Sequence, residues 1–336
     1  MRNETRQLFN GYLQQQTRLN NVGNATEKFT VEPSVQQRLE TKIQESSDFL
    51  KKINVMGVVE LKGEKLGLGV ANTIASRTDT AADGERKTQD ASTLDSDGYE
   101  CKQTNYDTHI RYAKLDAWAK FHDFQTRIRD VVNQRCALDR MTIGFHGKSA
   151  AANTDRTANP LLEDVNIGWL ELLRTRAPDR VIKEGAEAGK VTYGPGGDYK
   201  LLDGLVYDCY KNLLDPWNQE DPQLVAIVSR NLMHDKLFPL VNDNPAPTER
   251  LASDIVISQR RLGGLQAISV PYFPEGTLLV TRLDNLSIYY QLSARRRAVI
   301  DNPKKDRVEW YESSNDAYVI EDYGLCAMVE NIELKA

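Results

Sequence analysis

The stretch ASRTDTAADGERKTQDASTLDSDGYECKQ, residues 75–103, decides how this chain is read. Leu94 and Tyr99 are its only large hydrophobic side chains, and Cys101 and a few alanines add little to them. Seven acidic and four basic residues fill much of the rest. Strand-like patterns lie on both sides. Upstream, INVMGVVEL (53–61) sets Ile53, Val55, Val59 and Leu61 on one face, and KLGLGVANTI (65–74) does the same with Leu66, Leu68, Val70 and Ile74. KGE (62–64) is expected to turn between them. Downstream, Tyr106, Thr108, Ile110 and Tyr112 alternate again. Loops beyond about 12–15 residues are uncommon in compact domains, and they are usually functional or disordered. A polar excursion of this length is therefore expected to act outside its own domain's core, and to be disordered in the free monomer.

The next element is the strongest in the chain. From Lys114 to about Phe145 no proline occurs, and no glycine before Gly144. Leu115, Trp118, Phe121, Ile128, Val131, Leu138 and Met141 keep a helical rhythm, which predicts one rod of about 30 residues and roughly 45 Å. Helices are also expected over residues 2–20, with Leu8, Phe9, Tyr12, Leu13 and Leu19 on one side, and from Pro33 or Ser34, with Val35, Leu39, Ile43 and Leu50. Further helices are predicted at 161–177, 198–214 and 230–241. Short strands are predicted in LVAIVS, DIVIS, QAISV, TLLVT and LSIYY, and the chain ends in β pattern with DRVEWYE, DAYVIED and CAMVENIEL. The class is α+β, with one very long helix and one very long loop.

Bulk properties narrow the function. The 336 residues are 40% hydrophobic and 27% charged, with a formal net charge of −5. Mean hydropathy is −0.53 and the pI is near 5.6. A chain that grips nucleic acid along its length usually carries a basic excess, which this one lacks. Cys101, Cys136, Cys209 and Cys326 are scattered, with no CxxC, as in a reduced cytosolic protein. No apolar run approaches the ~20 residues of a membrane helix. The N-terminus MRNETRQLFNGYLQQQ lacks the apolar core of a secretory signal.

Chemistry-bearing motifs are absent or incomplete. GFHGKS (144–149) ends like a phosphate-binding loop, but Thr142 stands where that loop needs glycine and a helix precedes it, so helix termination is the better reading. GPGGD (194–198) reads as a turn capping the helix from Asp198. His109, His122, His146 and His234 pair with no metal-ligand spacing. ARRRAV (294–299) is the densest basic cluster, and reads as a solvated turn or a subunit salt-bridge patch more readily than a phosphate site. No catalytic, cofactor-binding or metal-ligating residue is assigned, and no cofactor is expected.

A resemblance runs along the whole chain. KFTVEPSV (28–35), ESSDFL (45–50), KGEK (62–65), IASRTDTA (74–81), DFQTRIR (123–129), GGDYKLLDGLV (196–206), PWNQEDP (216–222), VPYFPEGTLL (270–279), LDNLSIYY (283–290), NPKKDRVE (302–309) and VIEDY (319–323) occur in order. Together they resemble the major capsid proteins of the phage P-two family, which is similar in fold to the Hong Kong ninety-seven shell protein. The resemblance implies an N-terminal assembly segment (1–29) removed in maturation, an N-terminal arm (30–52), an extended β-hairpin loop with flanking strands (53–112), a peripheral domain with a spine helix (113–199), an axial domain (200–290) and a return to the peripheral domain (291–336). It implies a non-enzymatic head protein of a tailed double-stranded DNA phage, assembled in the host cytoplasm and carried in the virion. Its implied partners are its own copies in hexamers and pentamers, a scaffolding protein, a maturation protease, a portal protein and packaged DNA in weak, non-specific contact, with no membrane. The alternatives are a shell of the same fold around protein cargo and a cytosolic α+β enzyme with an unread site. Particle content separates the first two, and particle size the third.

Overall fold

The computed structural model describes residues 1–70, 92–121, 123–234 and 260–335, with the single positions 75, 77, 88 and 236. Its longest strand is β15 (Arg307–Ile320), in which DRVEWYE and DAYVIED run together without a turn. Both edges of β15 are paired. One edge takes β14 (Arg296–Asn302) and then β13 (Leu286–Gln291), and the other takes β6 (Thr108–Arg111) and then β5 (Lys102–Asn105), all antiparallel. β2 (Asn54–Val58) adds to β13 in parallel, and β1 (Phe29–Thr30) closes on β14.

A second sheet centres on β9 (Val225–Val228) and β12 (Leu278–Thr281), whose LVAIVS and TLLVT runs are buried at every strand position. β11 (Leu265–Ile268) flanks β9, with β10 (Arg261–Leu262) folded back on it, while β16 (Ala327–Val329) and β7 (Val181–Ile182) extend the other side. β8 (Val191–Tyr193) pairs with β17 (Ile332–Leu334), and β3 (Lys62–Val70) with β4 (Ser92–Glu100). The helices are α1 (Asn3–Leu19), α2 (Pro33–Glu45), α3 (Tyr112–Trp118), α4 (Phe124–His146), α5 (Trp169–Arg176) and α6 (Leu202–Leu213).

Several expectations are corrected. The single rod over 114–145 is two helices, α3 and α4, with the chain turning at 119–121. Leu115 is buried in the cluster with Phe9, Tyr12 and Trp310, whereas Phe121 and Val131, on the expected stripe, are exposed. Tertiary packing of α3 against α1 thus overrides a continuous helical rhythm. KGE lies inside β3, not at a turn, and the bend comes at 59–61, where Val59 and Leu61 are exposed. The second half of the polar excursion is strand: STLDSDGYE is β4. Tyr112 opens α3 instead of closing a strand, α2 stops at Glu45 short of Leu50, and α5 is half the expected length. Residues 230–234 and 236 are helical. The rest of the helix expected to 241, the strand DIVIS, Ile74 and His122 lie outside the described residues.

The main core joins α2, α4 and α5 to both sheets. Its aromatic centre is Trp169, whose ring meets Phe145 at 5.4 Å, Tyr318 at 5.2 Å and Phe49 at 6.2 Å between centroids. Its Nε1 donates to the Ser287 carbonyl at 3.0 Å, so no polar atom of the indole is stranded. A smaller core packs α6 on the second sheet. All four cysteines are buried and free.

Gly144 has a reason beyond ending a helix. A Cβ there would lie 2.2 Å from the Trp169 ring. The indole lies flat on the helix backbone, and only glycine lets it approach. Gly144→Ala is expected to destabilise the fold by about 1–3 kcal/mol despite alanine's ~1 kcal/mol helical advantage, because the rigid ring must move. Urea unfolding measures it, and an unchanged or raised midpoint would refute the close-approach account.

Candidate functional site

Three features stand out once the sheets are placed: a hairpin that leaves the body, a buried ionic cluster, and an N-terminal helix clasped to the sheet.

The hairpin pairs β3 with β4 in nine rungs, from Lys62 opposite Glu100 to Val70 opposite Ser92. Nine residues at ~3.3 Å each give an arm of about 30 Å. Neither strand pairs with a third among the described residues. A lone two-stranded ribbon is marginal in water and needs a surface to lie on. Its root is well held. Tyr99 meets Tyr289 edge-on at 5.1 Å, and Gly63 lets that ring cover the opposite strand, since a Cβ would sit 2.7 Å from it. Glu100 bridges Lys62 at 3.0 Å and Lys102 at 2.8 Å. Arg176 donates to the Gly98 carbonyl at 3.1 Å.

The ionic cluster is the unexpected feature. Arg140 of α4 reaches Glu40 of α2 and, at 3.1 Å, Asp316 of β15. Arg295 bridges Glu40 and Glu312, and Arg297 meets Glu312 at 2.7 Å. Three arginines thus balance three carboxylates. Tyr106 and Ser314 donate further hydrogen bonds to Asp316, at 3.1 and 2.6 Å. Burial alone would raise the Glu312 carboxyl, but Arg295 and Arg297 outweigh it and hold it at about 2. ARRRAV is therefore no solvated turn: Arg295 is 1% exposed and Arg296 begins β14.

The N-terminal helix α1 packs Phe9 and Tyr12 on Leu115, Tyr112, Val299, Val308 and Trp310. Trp310 Nε1 donates to the Tyr12 hydroxyl at 3.3 Å. Arg6 pairs with Asp301, and the Arg2 amide donates to Asp116 at 2.9 Å. The NNVGNATEK stretch that follows is turned, not loose: Ala25 is buried and its carbonyl accepts from the Val299 amide at 3.1 Å.

The weak motifs carry structure. His146 ends α4 and contacts the Tyr272 carbonyl at 2.7 Å. The Asp198 carboxylate accepts from the Ala186 and Thr192 amides, each at 2.8 Å, which fixes the GPGGD turn ahead of α6. No group of three or more metal-ligating side chains forms among the described residues.

The hairpin pairs with no third strand, and no metal-ligating group forms, among the described residues. The sequence profile described as "Phage major capsid protein, P2 family" matches residues 8–332. The chain belongs to this family of phage major capsid proteins. Its function is accordingly that of a tailed-phage head protein, a structural shell component of the virion and not an enzyme. It is 51% identical to the "Capsid proteins" sequence of Escherichia phage P2, over 99% of this chain and 96% of that one. It is 39% identical to the major capsid protein of Serratia phage KSP20, over 99% and 97%. Among solved structures, a chain of the satellite phage P4 procapsid with its size determination protein superposes with a TM-score of 0.82 at 48% identity, covering 100% and 99% of the two chains. The capsid of an empty gene transfer agent (GTA) particle shares the fold at TM-score 0.53 and 13% identity, over 86% and 90%. No described helix of this capsid protein is long and apolar enough to cross a membrane.

Sequence reasoning missed Glu40, Arg140, Glu312 and Asp316, which sit among ordinary charged neighbours. ARRRAV was the one visible signal, and its partners are distant in sequence. Arg140→Ala leaves Glu40 and Asp316 buried with too little positive charge and is expected to cost about 3–5 kcal/mol. Arg127→Ala, on the exposed Asp123 pair, should cost under about 1 kcal/mol. Glu312 stabilises the fold fully above the unfolded carboxyl range near 4.5, and that share, about 3 kcal/mol, is lost as pH falls through about 2. Denaturant melts of wild type and Glu312→Gln between pH 5 and 2 check this, the variant giving the shallower dependence.

Proposed function

We propose that this chain assembles as hexamers and pentamers of an icosahedral procapsid, which matures and encloses double-stranded DNA. The observation that carries the proposal is the β3–β4 arm, a ribbon that pairs with no third strand among the described residues; in this reading a neighbouring copy supplies the surface it needs. In this reading residues 53–112 supply the extended loop, 113–199 and 291–336 the peripheral domain, 200–290 the axial domain and 30–52 the arm. Mild acidity suits a wall that must enclose DNA without gripping each phosphate. Many weak contacts between copies then sum over a closed assembly. A separate scaffolding protein, a maturation protease and a portal protein complete the reading.

The N-terminal segment 1–29 is proposed to be removed at maturation by a cut between about Glu27 and Pro33. Packing narrows that window. Phe29 and Val31 are buried and β1 is paired to β14, so Thr26–Lys28 is the exposed part of the connection.

Deleting 77–97 removes six of the nine β3–β4 rungs but almost no apolar area, so the monomer should keep its helical circular dichroism and its denaturant midpoint, while stable shells disappear from electron micrographs. Shells of normal stability would sink the extended-arm assignment. Mass spectrometry of shell protein from DNA-filled particles should show a chain starting at Lys28 or Phe29, the part of the window that packing leaves exposed. An intact start at Met1 or Arg2 there would overturn the removal and leave the family unaffected.

A further inference from the structure

Helices α1, α2 and α4 enclose a groove of about 440 Å³ over the outer face of β15. Trp310 lines it from β15. Tyr12 and Leu19 come from α1, Val35 and Leu39 from α2, and Val132 from α4. Leu19 is 40% exposed, so the apolar lining opens to water.

The rim has a charge bias. Arg38, Lys42 and Arg129 are exposed lining residues, against one exposed carboxylate, Glu45. Glu45 is taken up by Lys42 at 2.6 Å, and Arg129 meets Asp130 at 3.0 Å in a pair open to solvent. Such exposed pairs hold their members weakly and are readily exchanged. Arg38 donates from Nε to the Ser34 carbonyl at 3.2 Å. Deeper in the groove Arg297 and Glu312 neutralise each other. An apolar slot with a basic rim, on a chain whose formal net charge is −5, matches a ligand that is apolar on one side and acidic on the other.

We propose that this groove binds a short, acidic amphipathic helix of a partner protein, and does so only while α1 is on the chain. A helix laid in a groove anchors through apolar side chains at i, i+3, i+4 and i+7. Those anchors cover Trp310 and Leu39, and carboxylates on the flank meet Arg38 and Arg129. Phosphate alone satisfies the rim but leaves the apolar floor wet. The exposed face of α1 on a second copy offers Gln14, Gln15 and Arg18, and its one acid, Glu4, lies in the first turn about 15 Å along the helix from them.

Dependence on α1 follows from the walls. Tyr12, Gln15, Gln16 and Leu19 are one side of the slot, and removing them opens Trp310 to water. Joined to the proposed N-terminal removal, on which this half rests, the groove belongs to the immature subunit. The cut that removes α1 then also releases the partner helix, so one proteolytic event reports assembly and discharges its helper.

The test uses two fluorescein-labelled helical peptides with leucines at i, i+3, i+4 and i+7, one with glutamates and one with lysines at the remaining face. Fluorescence anisotropy is read with the full chain, with Arg38→Glu/Arg129→Glu, with Leu19→Glu, and with a chain lacking residues 1–26. The acidic peptide should bind the full chain about tenfold or more tighter than the basic one. The double charge reversal should abolish or invert that preference, and Leu19→Glu and the truncation should lose binding. Equal affinity of the two peptides, no binding of either, or binding unchanged by the charge reversal overturns the groove. Sedimentation that shows the groove covered by a second copy, released by Arg38→Glu/Arg129→Glu, does the same. Retained binding by both Leu19→Glu and the truncated chain overturns the dependence on α1. An uncut N-terminus in filled particles removes the release step and leaves peptide binding standing.

Discussion

Arg140 is the constraint on which the subunit depends. It is buried on α4 between a carboxylate from α2 and one from β15, so three parts of the chain must meet in one geometry before its charge is neutralised. Arg295, just before β14, and Arg297 within it extend the same demand to that strand. Apolar packing tolerates sliding, but a buried ion with a missing partner does not. The cluster therefore fixes the seating of α2 against α4 and the main sheet. The hairpin root and the second sheet are positioned from that fixed centre through β15 and its two paired edges.

The body and the arm obey different physics. The body buries aromatic rings around Trp169 and closes its backbone in two large sheets and the β8–β17 pair. The arm has a backbone ladder and a root, with Tyr99 and Glu100 holding it at one end. A rigid body suits a shell subunit, and in the proposed assembly the arm is what reaches the neighbouring copy.

Much of this was legible in the sequence, and the failures have physical causes. The apolar runs at Val225–Val228, Leu278–Thr281 and Leu286–Gln291 became strands because their apolar character reports burial directly. β4 was invisible because STLDSDGYE is mostly polar at both alternating sets of positions, so period two carries no contrast. The α3–α4 break was invisible for the opposite reason. The helical rhythm continues through 119–123, but Leu115 is claimed by Phe9 and Trp310, which lie far away in the chain. The ionic cluster could not be read because Glu40, Arg140 and Asp316 are 100 and 176 residues apart, and charge pairing across such gaps leaves no local pattern. What identified the chain was a series of short segments in order, none of them a reactive site.

The buried cysteines carry a consequence for life outside the host. Burial pushes the thiols of Cys101, Cys136 and Cys326 up to about 12 and that of Cys209 higher still. Disulfide exchange and oxidation begin from the thiolate, which these groups do not form near neutral pH. Thiols that stay protonated and buried are unchanged in reducing and in air-equilibrated surroundings alike. They serve as small apolar fillers of the core.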